Sequence, residues 1–256
     1  MRRLELVSLK DIQRRVEDIK ASLENIYGVA LSTGFGELLS TSLFPTEAFL
    51  EEDKLALLFM KIVKEGYDVP IITVRYRGDV YILDGHHRAY ILRKLMRDKI
   101  RGYVLSFPSG QHYRDIPKFD LEDIAIKEVV PIDDPILRTW AQILTLLKYY
   151  EAIYNVFFRL KEEEVELNLL VPTQPYVTRS QVDLIEELLV PIACVQQQGR
   201  FYILDGHARS LHAKETGLKT IHSMVLEPQV EVDFGIVRTT KRMNLSGLED
   251  IKVKDA

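Results

Sequence analysis

The sequence holds a single cysteine, Cys194, which excludes an intrachain disulfide framework, a cysteine zinc cage and an iron–sulfur cluster, each of which needs several thiols. It also lacks an excess of positive charge. With 34 lysines and arginines against 38 aspartates and glutamates, the net charge is −4 and the pI near 5.9. Indiscriminate adhesion to nucleic acid or anionic membrane is therefore not expected, and any nucleic-acid contact has to be local. Long apolar runs are missing too. The most apolar stretch, Trp140 to Phe158, is interrupted by Lys148 and Glu151, short of the roughly 20 residues of a membrane span. Residues 1–20 carry charges every few positions where a signal peptide has its apolar core. These absences point to a soluble, cytoplasmic protein with no membrane partner. What is present, 256 residues with 46% hydrophobic and 28% charged side chains, suffices to bury a full core in one large domain or two small ones.

Self-similarity decides between them. Tyr81-Ile82-Leu83-Asp84-Gly85-His86 recurs letter for letter as Tyr202-Ile203-Leu204-Asp205-Gly206-His207, 121 residues later. Pro70-Ile71 is echoed at the same offset by Pro191-Ile192, whereas Pro45-Thr46 and Leu121-Glu122-Asp123-Ile124 are echoed 127 residues on, by Pro172-Thr173 and Leu248-Glu249-Asp250-Ile251. Matches in the same order, with small gaps, mean a duplicated domain. The second copy loses six residues before the strand pair and regains six after the motif. We place the domains at 1–130 and 131–256, with the boundary near Pro131 to Pro135.

Each copy reads as helix, hairpin, turn, helix. Leu55, Leu58, Phe59 and Ile62 mark an amphipathic helix closed by Gly66, and Ile71 to Tyr76 and Val80 to Leu83 are strands joined by Arg77-Gly78-Asp79. Beyond Asp84-Gly85-His86-His87-Arg88, residues Ile91, Leu92, Leu95 and Met96 give the apolar face of a second helix. A longer helix precedes each copy. The first carries the stripe Leu9, Ile12, Val16, Ile19, Leu23 and Ile26 behind Ser8 and Asp11 as a capping box. The second carries Ile136, Trp140, Ile143, Leu147, Tyr154 and Phe158 behind Asp134-Pro135. Such stripes pack against the protein's own body or form a dimer seam, and for the N-terminal helix the spacing alone allows both.

A strand ending in glycine and turning into a helix presents unpaired backbone N–H groups and the positive end of a helix dipole, which is an anion site. Gly85 allows close approach, Arg88 is positioned to reach back as a bidentate phosphate donor, and His86 and His87 add donors whose charge depends on local pKa. Asp84 beside such a site is a candidate for holding Mg2+ through water or nucleotide oxygens. A zinc site is disfavoured, because no pair of histidines has the spacing that places both on one helix face. Downstream, Arg88, Arg93, Lys94, Arg97, Lys99 and Arg101 face one acid, Asp98. This basic helix, 88–101, is either a solvated face or a DNA contact.

At these residues the sequence resembles the ParB/sulfiredoxin superfamily, whose members bind nucleotide phosphates at a Gly-x-(His/Arg)-Arg turn that opens a helix. The resemblance covers about residues 40 to 105, and again 168 to 220. It implies an α/β fold of α+β type, with two tandem ParB/sulfiredoxin-like domains, each led by a long helix, related by a pseudo-two-fold duplication. The Asp-Gly-His-His-Arg spelling is most similar to the archaeal-type free-serine kinases, which carry a catalytic glutamate in a Pro-x-Glu segment before the first helix; Pro45-Thr46-Glu47 occupies that place. Sulfiredoxin fits less well, since it needs a nucleophilic cysteine where this chain has His86 and His207; Cys194 instead falls in a strand and reads as a small buried hydrophobe. The chromosome-partition branch carries a helix-turn-helix domain for which no candidate is found.

The duplication supplies an internal control. The second copy reads Pro172-Thr173-Gln174 and Asp205-Gly206-His207-Ala208-Arg209, so it keeps the aspartate, glycine, first histidine and arginine but loses the glutamate and one histidine. Glutamine takes no proton at neutral pH, so one working site and one degenerate site follow. The expected activity is a phosphotransferase using ATP or ADP with Mg2+ on a small-molecule hydroxyl. In it Glu47 is the general base, residues Gly85 to Arg88 hold phosphates, Asp84 places magnesium and His87 stabilises the transferring group. Glu47 as a plain acid near a helix start is the simpler alternative for that residue. The second functional reading is a ParB-like module that binds a nucleotide or DNA without kinase activity. The segment Ser106 to Asp115, with Phe107, Pro108, His112 and Tyr113, either lines the acceptor pocket or covers the sheet.

Overall fold

Ser8 starts the first helix by accepting a hydrogen bond from the Asp11 amide at 3.2 Å, and Gly28, with φ of 67°, ends it in a left-handed cap. The resulting helix α1, Leu9–Tyr27, buries Ile12 and Val16 against Ile72, Val74, Tyr76 and Leu105 of the following sheet and Val69 just before it, with Ile19 and Leu23 packed at the margin. Full burial of each of the first two contributes roughly 1.5–3 kcal/mol. Of the two uses of this stripe, packing on the protein's own body accounts for its centre, which is core of its own unit, while the end positions Leu9 and Ile26 are exposed.

The computed structural model describes residues 6–108, 116, 118–185 and 188–255. The chain is mixed α/β in two similar halves and divides into Met1–Leu137 and Arg138–Ala256, C-terminal to the expected boundary. The first half continues with β1 (Ser32–Leu39), β2 (Leu43–Pro45), β3 (Phe49–Glu51), α2 (Glu52–Glu65), β4 (Ile71–Tyr76), β5 (Asp79–Asp84), α3 (His86–Lys94), β6 (Lys99–Ser106) and β7 (Ala125–Lys127). Five strands form one sheet in the order β1-β6-β4-β5-β2, while β3 and β7 pair in parallel by themselves. The tight β4–β5 hairpin is made by Arg77 and Gly78, both with positive φ, as a two-residue turn between twisted strands requires. Strand β4 is covered on both faces: Ile72 and Val74 meet α1, and Ile71 lies under the turn at Gly85.

The second half repeats this order. It comprises α4 (Pro135–Tyr154), β8 (Phe158–Glu166), β9 (Leu170–Val171), β10 (Tyr176–Thr178), α5 (Arg179–Asp183), β11 (Ile192–Gln197), β12 (Arg200–Asp205), α6 (His207–Glu215), β13 (Thr220–Pro228), α7 (Gly235–Arg242) and β14 (Lys252–Lys254). Its sheet runs β8-β13-β11-β12-β9, the same order, and β10 pairs with β14 as β3 does with β7. The two sequence offsets now have a physical cause. A net six residues are lost where α2, of 14 residues, shrinks to α5, of five, while the segment leading to the next strand grows by three. The repeated Leu-Glu-Asp-Ile leads into β7 and β14, whose partners β3 and β10 precede that loss and share its 127-residue offset.

Asp134 caps α4 as expected, accepting from the amides of Ile136 and Leu137 at 2.8 and 3.1 Å. Phe158 does not extend the helical stripe. Asn155, with φ of 50°, stops the helix, and Phe158 opens β8 within a cluster of Tyr150, Tyr154 and Phe234 rings. Cys194 lies fully buried in β11, where desolvation pushes its thiol pKa up, the opposite of a reactive thiol. No helix among the described residues is long and apolar enough to cross a membrane.

Candidate functional site

Glycine is required at the turn between β5 and α3 on two counts. Its φ is 99°, and a Cβ there would lie 2.6 Å from the Arg88 guanidinium and 2.7 Å from Ile71. Gly206 repeats this, with φ of 100° and Ile192 at 2.5 Å. Because glycine has no side chain to cap the helix, the first amides of α3 are left uncapped at the positive end of its dipole.

His86, the first residue of α3, is buried, and hydrogen bonding fixes its tautomer. Nε2 accepts from the Thr46 amide at 3.1 Å, so the ring proton sits on Nδ1, which faces Glu47 Oε1 at 3.3 Å. The Thr46 hydroxyl donates to the Ile82 carbonyl at 2.7 Å and ties this segment to β5. Glu47 is half exposed, and the hydrogen bond from His86 is the main reason its carboxyl stays below the usual range. The sequence therefore assigns His86 to phosphate, whereas the structure engages both its ring nitrogens in holding Thr46 and Glu47. Thr46 was not anticipated as a site residue; its signal was the repeated Pro-Thr pair.

His87 accepts at Nε2 from the Glu51 amide at 3.0 Å, which again leaves the proton on Nδ1. Burial pushes its pKa down to about 4, so it is a neutral donor at pH 7. Arg88 does not reach out as a free phosphate donor. It is buried, stacked on Gly85, and its Nη2 pairs with Asp84 Oδ2 at 2.9 Å. Asp84 Oδ1 in turn meets Arg15 Nη1 of α1 at 3.1 Å. Both carboxylate oxygens thus have cationic partners, the environment of a carboxylate that builds a turn, and the residues present do not fit a protein-held magnesium at Asp84. Among the described residues no group of three or more His, Cys, Asp or Glu side chains is arranged to hold a metal ion.

These groups open onto a cleft of roughly 310 Å3. Glu47, His86, His87 and the Asp84 turn form one wall, Lys54, Leu57 and Leu58 of α2 another, and Leu6, Val7 and Arg15 the approach from the N-terminus. Tyr67 fastens that approach by donating to the Val7 carbonyl at 2.6 Å. Phe107 packs its ring on Tyr27 and Tyr76, covering the sheet, while His112 and Tyr113 lie outside the described residues.

The expected basic helix 88–101 is corrected as well. Helix α3 ends at Lys94, Met96 takes φ of 60°, and Lys99 and Arg101 belong to β6. Arg93 pairs with Glu122 at 2.7 Å, Lys99 with Glu37 at 2.9 Å and Arg101 with Asp68 at 2.7 Å, and Lys94 is buried. Acids distant in sequence thus neutralise three of the cations in the run.

The second half keeps the frame. Thr173 donates from its amide to His207 Nε2 at 3.0 Å and from its hydroxyl to the Ile203 carbonyl at 2.5 Å, and Arg209 pairs with Asp205 at 2.8 Å. Gln174 and Ala208 stand where Glu47 and His87 do. Burial holds His207 down to about 4, as it does His87, against an ordinary value of 6.5. Both histidines are neutral when folded and protonate more readily when unfolded. Their contribution to stability is complete above pH 6.5 and is lost progressively as pH falls toward 4. The urea midpoint should fall over that window, and less so for His87→Ala; a midpoint flat between pH 7 and 4.5 contradicts the assignment.

No protein-family model matches the chain. It is similar to an uncharacterized protein of Methanocaldococcus jannaschii, 33% identical over an alignment 119 residues long that covers 43% of this chain and 44% of that one. The match thus spans less than half of that relative. Among solved structures it aligns with a protein of Agrobacterium tumefaciens at a TM-score of 0.30 and 14% identity, over 44% of this chain and 80% of the other.

Proposed function

We propose that the first half is a nucleotide-dependent phosphotransferase site of the ParB/sulfiredoxin-like type, resembling the free-serine kinases and acting on the hydroxyl of a small molecule. The observation that carries this reading is the Glu47 carboxylate, held by His86 at 3.3 Å on the same cleft wall as the uncapped start of α3. The α3 amides receive phosphate oxygens of ATP or ADP. The acceptor hydroxyl gives its proton to Glu47 while its oxygen bonds to the terminal phosphorus and the bond to the departing phosphate breaks. His86, with its proton on Nδ1, keeps Glu47 ionised and aimed, and neutral His87 offers a hydrogen bond to the transferring group without adding charge. Magnesium enters as part of the nucleotide. The second half, with Gln174, has the frame without the base.

The test is phosphate transfer by the full chain from ATP or ADP, with Mg2+, to free serine and a panel of other small alcohols, followed by phosphorus NMR. Absence of transfer from both nucleotides to every alcohol sinks the proposal. Against the DNA-binding alternative, three of the cations of that run, Arg93, Lys99 and Arg101, are paired with acids of the molecule.

A further inference from the structure

The turn needs a cation that can face a ligand, and Arg88 is turned inward. Two others line the cleft: Arg15, its side chain about half exposed, and Lys54, which pairs with Glu51 at 2.6 Å. The internal repeat shows what happens to them where Glu47 is lost. Gly28 and Asn155, the left-handed stops of α1 and α4, lie 127 residues apart, and so do Glu51 and Thr178, the N-caps of α2 and α5. At that offset Arg15 corresponds to Gln142 and Lys54 to Gln181, just as Glu47 corresponds to Gln174. Three charged residues of one cleft are all glutamine in the other half. Thr46, Asp84, Gly85, His86 and Arg88, which build the frame, are all retained as Thr173, Asp205, Gly206, His207 and Arg209. The side chains that changed together all line the cleft; those that stayed, although several line it as well, are bonded to backbone and to one another.

We infer that Arg15, supplied by helix α1 outside the segment that resembles the superfamily, is the phosphate-contacting cation of this site, with Lys54 as its second. The inference rests on the reading of the α3 turn as a phosphate site. In this state Arg15 is parked on Asp84 Oδ1, beside the first amides of α3. An arriving phosphate offers two acceptor oxygens in place of one, so the guanidinium exchanges a half-exposed ion pair for a bidentate contact. Asp84 keeps Arg88, so the turn is not released by the exchange. The ligand is therefore held from α1 as well as from α3, with α1 already fixed on the sheet by Ile12 and Val16.

Calorimetric binding of ADP, inorganic pyrophosphate and adenosine to the full chain and to Arg15→Gln tests this. Loss of a charge-assisted contact should weaken ADP and pyrophosphate about tenfold or more, with adenosine binding unchanged. The thermal midpoint should stay within experimental error of wild type, since a half-exposed ion pair adds little stability. Lys54→Gln should act in the same direction, more weakly. Unaltered ADP and pyrophosphate affinity in Arg15→Gln overturns the inference while leaving the phosphate site standing; equal weakening of adenosine, or a lowered midpoint, also overturns it by making Arg15 a packing residue. A wild-type chain that binds neither ADP nor pyrophosphate refutes the reading of the turn itself, and this inference with it.

Discussion

The Glu47→Gln protein should bind ADP and ATP as the wild type does and transfer phosphate at least about a hundredfold more slowly, the usual effect of removing a positioned general base. Glutamine is the informative replacement because it preserves shape. Its carbonyl oxygen still accepts from His86 Nδ1, so the bonds of His86 to Thr46 are expected to survive. The second half already contains this arrangement, with Gln174 next to a frame in which Thr173 and His207 are bonded as Thr46 and His86 are. A loss of turnover with intact binding and an unchanged thermal midpoint separates the proton acceptor from the scaffold. Turnover equal to wild type would remove Glu47 from the chemistry and reduce it to an acid near a helix start.

The second large effect is on stability. Gly85→Ala is expected to cost about 2–4 kcal/mol, because alanine is strained at positive φ and its methyl collides with Arg88 and Ile71. Gly206→Ala meets the same strain against Ile192 and should destabilise its own half by a similar amount. The two differ in consequence. Gly85→Ala disturbs the α3 amides and should abolish nucleotide binding, whereas Gly206→Ala should leave turnover unchanged at temperatures where its half remains folded. Urea unfolding and activity measured on both variants check this. A Gly206→Ala protein that is folded but inactive would show that the second half takes part in the reaction.

Much of the site was legible because it is local. A strand, a glycine and a helix start within five residues fix the turn, and the hairpin before it is announced by Arg77-Gly78. The duplication made the reading firmer, since residues that recur with their spacing intact proved to be those that bond to each other. What the sequence did not convey is direction. Asp84 and Arg88 are four residues apart across a helix start, and nothing in their order says that the guanidinium folds back onto the carboxylate and not outward to a ligand. Partners far along the chain were also invisible: Arg15 meets Asp84 across 69 residues, and Glu122 meets Arg93 across 29. The supposed basic helix failed for that reason. Phe158 was misplaced because one asparagine in a left-handed conformation outweighed a continuous apolar periodicity.

The small parallel ribbon of β3 and β7 has a consequence for how the molecule comes into being. Strand β3 follows Glu47 by one residue and ends at Glu51, whose amide holds His87, yet its partner begins only at Ala125. As the chain leaves the ribosome, the turn, both histidines and the glutamate emerge some 40 residues before the strand that pins their roof. The main sheet needs nothing beyond Ser106, so it can form first and wait. Pairing of β3 with β7 is therefore the last step in the birth of this part of the first half, and a nascent fragment ending at Ser106 would carry every candidate site residue, with the bonds among Thr46, Ile82 and His86, but with β3 still unpaired.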